Sequence, residues 1–171
     1  MTARRIVIWS LAAAALVAAG VWLWRVGFPS EEQKIVRLLD ECAETAGFRS
    51  GEPPAAAVLK LRRLDDRLDD RVTIRWRRRG SIHEQEFDRR ELIGHIASTR
   101  KYLKELRVEL SDLAVTVGGD TAVVEGSAQL AGTAQGRRWD DPVLEDLRIE
   151  LVRRDGAWRV SAVTVRDFME R

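Results

Sequence analysis

IELVRRDGAWRVSAVTV, residues 149–165, reads as two strands joined by a two-residue turn. Asp155-Gly156 is a favoured type I′ pair, because both central positions of that turn need a positive φ. In this register Arg153 faces Trp158, Leu151 faces Val160 and Ile149 faces Ala162. Apolar residues then stack on one side, as a half-buried antiparallel pair requires.

The stretch before it continues the pattern. Val108 to Val117 changes parity midway: Val108 and Leu110 agree, while Leu113, Val115 and Val117 are one position out of step. A bulge at Ser111-Asp112 restores the apolar face and bends the strand. Gly118-Gly119-Asp120 turns the chain into Thr121 to Ala131, and a looser stretch, Gly132 to Pro142, carries Trp139. Further upstream, Val72, Ile74 and Trp76 alternate with Arg71, Arg75, Arg77 and Arg79. A turn at Gly80-Ser81 sets Arg77 against Glu84, Arg75 against Glu86, Ile74 against Phe87 and Trp76 against Gln85, with His83 beside Arg78 near the tip. Cross-strand ion pairs then occupy the solvated side. Contact with phosphate or anionic lipid is the alternative use of that arginine row.

Three helices are expected. Ser30-Glu31-Glu32-Gln33 is a capping box, and the helix behind it carries Ile35, Leu38, Leu39, Cys42 and Ala46 on one stripe before Gly47. After a short loop, Phe48 to Pro54, a second helix runs to Asp70 with Val58, Leu61, Leu64 and Leu68 at helical spacing. Asp88 opens a third, with Glu91 three residues on and a stripe of Leu92, Ile96, Leu103 and Leu106. His95 and Tyr102 lie near that stripe.

Ahead of all this, Ile6 to Trp24 is free of charge and about 28 Å long as a helix, enough for a bilayer core of about 30 Å. Trp9, Trp22 and Trp24 suit its two interfaces, and Arg4 and Arg5 keep the amino end cytoplasmic. Val17-Ala18-Ala19 before Gly20 also fits a signal-peptidase site. Apolar character running on to Trp24 favours an anchor instead. Either way the domain is exported. The expectation is a single-pass protein of the inner membrane, with the domain periplasmic or otherwise extracytoplasmic. Residues 1–29 form the tail and anchor, and 30–171 the domain.

Of 29 basic residues, Arg4, Arg5 and Arg25 flank the span, so the other 26 face 27 acidic ones. A domain near neutrality lacks the basic surface that nucleic-acid binding needs. The lone Cys42 forms no internal disulfide, and a packed small hydrophobe is preferred over a reactive thiol. Asp65, Asp66, Asp69 and Asp70 are interleaved with arginines and lack a glycine loop. They read as a charged helix end, not a metal site. No metal or cofactor is expected.

Helix, helix, strand pair, helix, then four long strands is an α+β layout. It comprises an amino-terminal transmembrane helix followed by a curved antiparallel sheet packed with three helices, a cone-shaped α+β barrel. That order, with the D-G-x-W turn of Asp155-Gly156-Ala157-Trp158 opening the final strand, resembles the nuclear transport factor 2-like (SnoaL-like, cystatin-like cone) superfamily over residues 30–171. The resemblance implies an isomerase, a dehydratase, a ligand binder or a non-catalytic assembly domain. Enzymes of that kind set an Asp or His inside the cone. Here the inward positions are Val72, Ile74, Trp76, Gln85, Phe87, Leu113, Val115, Ile149, Leu151, Trp158 and Val160, and none is an acid. The preferred expectation is a membrane-anchored, non-catalytic domain that binds another protein or its own copy. The alternative is a small-molecule binder or lyase/isomerase with Trp76, Tyr102, Trp139 and His95 around the pocket.

Overall fold

The computed structural model describes residues 30–78, 81–134, 137–138 and 143–166. The expected span at Ile6–Trp24, and Trp139, lie outside the described residues. Among the described residues no helix is long and apolar enough to cross a membrane. The chain divides into two compact units, Met1–Lys34 and Ile35–Arg171. In the first, Ser30 Oγ accepts from the Gln33 amide at 3.2 Å, so the expected cap is in place.

The elements run α1 (Glu31–Ala46), α2 (Pro54–Arg67), β1 (Leu68–Arg78), β2 (Ser81–Asp88), α3 (Arg89–Thr99), β3 (Leu103–Gly118), β4 (Thr121–Ala134), β5 (Arg137–Arg138), β6 (Val143–Arg154) and β7 (Ala157–Arg166). The sheet order is β2-β1-β7-β6-β4-β3, with β5 on β4. Every described pairing is antiparallel except β1 with β7, which is parallel. The expected all-antiparallel sheet is therefore a mixed one. The first strand of the sheet is completed by the last, and two strands so far apart in the chain are free of the hairpin constraint that forces antiparallel pairing.

One face of the sheet packs against the helices. Ile35, Leu38 and Leu39 of α1 join Val72, Leu92, Ala122, Val124, Ile149, Leu151, Trp158 and Val160 in a single buried cluster. All eleven inward positions named above fall on this side by register. The other face is charged. Arg75 bonds Glu84 at 2.7 Å and reaches Glu150 at 3.6 Å, and Arg148 joins Glu150 at 3.6 Å and Glu125 at 3.0 Å. Arg75 and Glu150 lie on either side of β7, whose Ala162 is buried between its strand neighbours Thr73 and Glu150. These exposed pairs each contribute little, about 0–1 kcal/mol. They do engage Arg75 of the arginine row that would otherwise suggest an anion site, and Arg71 meets Glu86 at 3.1 Å.

Asp155 (φ 52°) and Gly156 (φ 78°) make the expected turn, and Arg153 pairs with Trp158 and Leu151 with Val160. Ile149 pairs with Val163, not Ala162, because the register shifts between Glu150 and Leu151. Ser161 is the extra residue, and its hydroxyl donates to the Glu150 carbonyl at 3.1 Å. In β3 the shift falls between Ser111 and Ala114, and Asp112 takes φ 55°, so the parity change is indeed a bulge.

The β1–β2 register differs by two residues from the expected one. Arg75 pairs with Glu84, Trp76 with His83, Ile74 with Gln85 and Val72 with Phe87. A slip of two leaves each side chain on its expected side, so the hydrophobic pattern cannot discriminate between the two registers. It sets His83 across from Trp76 instead of Arg78. The second helix stops at Arg67 instead of Asp70, with the Leu68 amide bonded to the Asp65 carbonyl. Leu68 pairs with Val160, so the Leu64/Leu68 spacing of four straddles a helix–strand junction. Val58 is exposed, not buried. Asp88 caps α3 through the Arg90 amide at 2.9 Å, but α3 ends at Thr99 and Leu103 and Leu106 belong to β3.

Candidate functional site

A groove of about 1700 Å³ opens beside the amino-terminal half of β3. Leu106, Val108 and Leu110 line its floor with Phe48, and Asp40, Ala43 and Glu44 of α1 form one wall. Residues 49–52 and Lys60 form the opposite rim. Phe48 builds this shape. Its amide donates to the Leu106 carbonyl and its carbonyl accepts from the Leu106 amide, both at 2.9 Å, a single antiparallel bridge on the edge of β3. Gly47 permits the approach, since a Cβ there would lie 3.2 Å from the Leu106 carbonyl oxygen.

Three charges pin the rim. Glu52 meets Lys60 at 2.6 Å and Arg100 at 3.5 Å. Lys60 also donates to the Gly47 carbonyl at 3.1 Å, and Arg100 to the Thr45 carbonyl at 2.9 Å. The Arg100 guanidinium lies 5.0 Å above the Phe48 ring. Burial pushes the Arg100 pKa down and Glu52 opposes the shift, so the carboxylate holds the cation in a partly dry place. These groups spend their charges on the groove's walls. Glu105 accepts from Thr133 Oγ1 at 3.0 Å, while Asp40 and Glu44 are not ion-paired among the described residues.

The residues singled out from the sequence lie elsewhere. Trp76 stacks on His83, ring centroids 5.6 Å apart and 18° between planes. His95 meets Phe87 edge-on at 5.5 Å, and its Nε2 is 3.7 Å from Glu91 Oε1. Trp76 and His95 thus share the β1–β2 end of the inner face. Both imidazoles are exposed, and none of Trp76, His83, Phe87 or His95 lines the groove. Tyr102 is 70% exposed and lines no part of it. The groove depends on Phe48, which has no periodic neighbour to reveal that it is a one-residue strand.

Cys42 packs on the core stripe, and its thiol is pushed from 9.0 up to about 12, first by burial, with Arg67 pulling it down and Glu41 raising it. At neutral pH the thiolate population is cut roughly a thousandfold relative to an ordinary cysteine. Labelling of the folded chain by a thiol reagent should be slower by about that factor and become fast in denaturant; rapid labelling of the native chain would refute the burial argument. The sign for stability follows. The unfolded thiol ionises above about pH 9 while the folded one does not, so stability declines as pH rises from there towards 12.

An edge-to-edge mixed sheet with three helices on its inner face and a groove at the mouth defines the nuclear transport factor 2-like, cystatin-like fold. The chain is similar in structure to a nuclear transport factor 2-like protein with a cystatin-like fold from Novosphingobium aromaticivorans (TM-score 0.63, 16% identity, covering 91% of this chain and 90% of that one). It is also similar to a protein provisionally assigned as a scytalone dehydratase from the same organism (TM-score 0.64, 12% identity, 81% and 85%). A third similar structure, from Xanthomonas campestris, is provisionally assigned as a calcium/calmodulin-dependent protein kinase II association domain (TM-score 0.60, 14% identity, 84% and 91%). No family model and no curated protein sequence matches the chain.

Proposed function

We propose that this chain is a membrane-anchored, exported domain that binds a protein partner in the groove between α1 and β3 and performs no chemistry there. One observation supports the reading: an aliphatic strip of Leu106, Val108 and Leu110 runs along the groove, and beside it Glu52, Lys60 and Arg100 are held by one another. Asp40, Glu44, Glu105 and Glu109 also line the groove, and chemistry there would need one of them aimed at a bound molecule. Ile6–Trp24 supplies the inner-membrane anchor in this reading, with the amino end cytoplasmic. The association-domain neighbour is consistent with assembly on the same fold, and fold alone carries no function.

A photo-crosslinking residue at Glu109, on the lip, is expected to give one discrete adduct in intact membranes. The same residue at Thr116, past the bulge, is expected to give none. Equal labelling at both positions, or none at either, would dismiss the groove as the contact. The second reading, a small molecule in the same groove, is favoured by the apolar floor and the dehydratase-like neighbour. Native mass spectrometry would then find a bound mass that disappears in Leu110→Arg.

A further inference from the structure

Two segments of this domain expose apolar side chains among pairs of unpaired cations, whereas Ile82 on β2 has only Arg77 across from it. Along α2, residues Ala55, Val58, Leu59, Arg62, Arg63 and Asp66 are all exposed, a stripe at helical spacing that faces away from the buried Leu64. Val58 is 62% and Leu59 55% exposed. The stripe begins aliphatic and turns to arginine. Between α3 and β3, Tyr102 is 70% exposed and flanked by the exposed Lys101 and Lys104. Glu52 ties the two segments together, since it meets Lys60, next to Leu59, at 2.6 Å and Arg100, two residues before Tyr102, at 3.5 Å. Arg62, Arg63, Lys101 and Lys104 are ion-paired with no carboxylate among the described residues.

We infer that the α2 stripe with Lys101, Tyr102 and Lys104 is a membrane-contact surface that seats Val58, Leu59 and Tyr102 in the headgroup region of an anionic bilayer. Aliphatic groups beside arginines and lysines, with a tyrosine at the boundary, match the polarity gradient of that region. Each cation near an anionic surface adds to the attraction. The inference rests on the anchor reading. Residues 25–30 then separate the span from α1, and six residues bridge at most about 20 Å. A domain so tethered meets the bilayer at high effective concentration, so a patch too weak to hold a free protein suffices. The arginine strand β1 is a poorer candidate, because Arg71 and Arg75 already answer Glu86 and Glu84.

The test uses the full chain reconstituted into vesicles of phosphatidylcholine alone or mixed with phosphatidylglycerol. An environment-sensitive fluorophore is placed at Leu59→Cys, Tyr102→Cys or, as the control, Ile82→Cys, which is 70% exposed on β2 with a single arginine, Arg77, unpaired among the described residues, across from it. Lipid carrying a shallow nitroxide is expected to quench positions 59 and 102 several-fold more than 82 in the anionic vesicles. Arg62→Glu with Arg63→Glu, or high salt, should abolish the difference. Equal quenching at all three positions, or the same quenching in phosphatidylcholine alone, would overturn the inference while leaving the anchor intact. No quenching together with a protein adduct at 59 would also overturn it. A chain released from the vesicles by alkaline carbonate would remove the anchor reading and this inference with it.

Discussion

Trp158→Ala is expected to cost about 3–5 kcal/mol, the range for deleting a buried large aromatic from a packed core. Trp158 is 5% exposed, opens β7 on the inner face and lies under the Arg153 guanidinium at 4.7 Å. Its ring belongs to the cluster that joins Ile35 and Leu39 of α1 to the sheet, so truncation opens a cavity between the layers. Arg153 would also lose the aromatic surface its cation rests on. Urea unfolding followed by far-ultraviolet circular dichroism measures the loss. Trp158→Phe, which keeps most of the volume, should recover more than half of it. A cost below about 1 kcal/mol for the alanine would mean that the layers close over the gap, contrary to the packing described.

The second large effect is at Gly126, where alanine is expected to cost about 1–3 kcal/mol, as overpacking does. A Cβ at this position would stand 2.7 Å from Leu113 Cδ2 and 2.9 Å from the Ser111 carbonyl oxygen. The leucine tip can rotate away. The carbonyl cannot, because it belongs to the bulge that reverses the parity of β3. The two contacts are separable by measurement: Gly126→Ala combined with Leu113→Ala should gain nothing over the sum of the single changes if the carbonyl dominates. A marked rescue in the double variant would place the clash on the leucine instead.

The sheet's inner face was legible because a period of two survives register slips of two residues. Val72, Ile74 and Trp76 therefore point inward whether Trp76 pairs with Gln85 or, as observed, with His83. The β3 bulge was legible because it breaks that period in the sequence. The β7 bulge at Ser161 was not, since Ala162 lets the even-numbered pattern of Trp158 and Val160 run on and hides the shift to Val163 and Val165. Helix ends were misplaced where a leucine served either period, as at Leu68 and at Leu103 and Leu106. The groove was the least readable part. It arises where Phe48 meets Leu106 and Glu52 gathers Lys60 and Arg100, contacts between segments far apart in the chain that no local spacing encodes. The aromatic residues picked for it, Trp76 and His95, sit on the inner face but at its β1–β2 end, and Tyr102 faces outward.

The place of β7 between β1 and β6 has a consequence for biogenesis. Until that strand is synthesised, no backbone ladder joins the early β1–β2 hairpin to the β3–β4–β6 meander, and the two halves of the sheet remain separate. Pairings of such large sequence separation form slowly. A nascent chain cannot complete its sheet until its carboxyl end emerges, so on the export reading proposed above it would reach a translocation channel with that sheet still open.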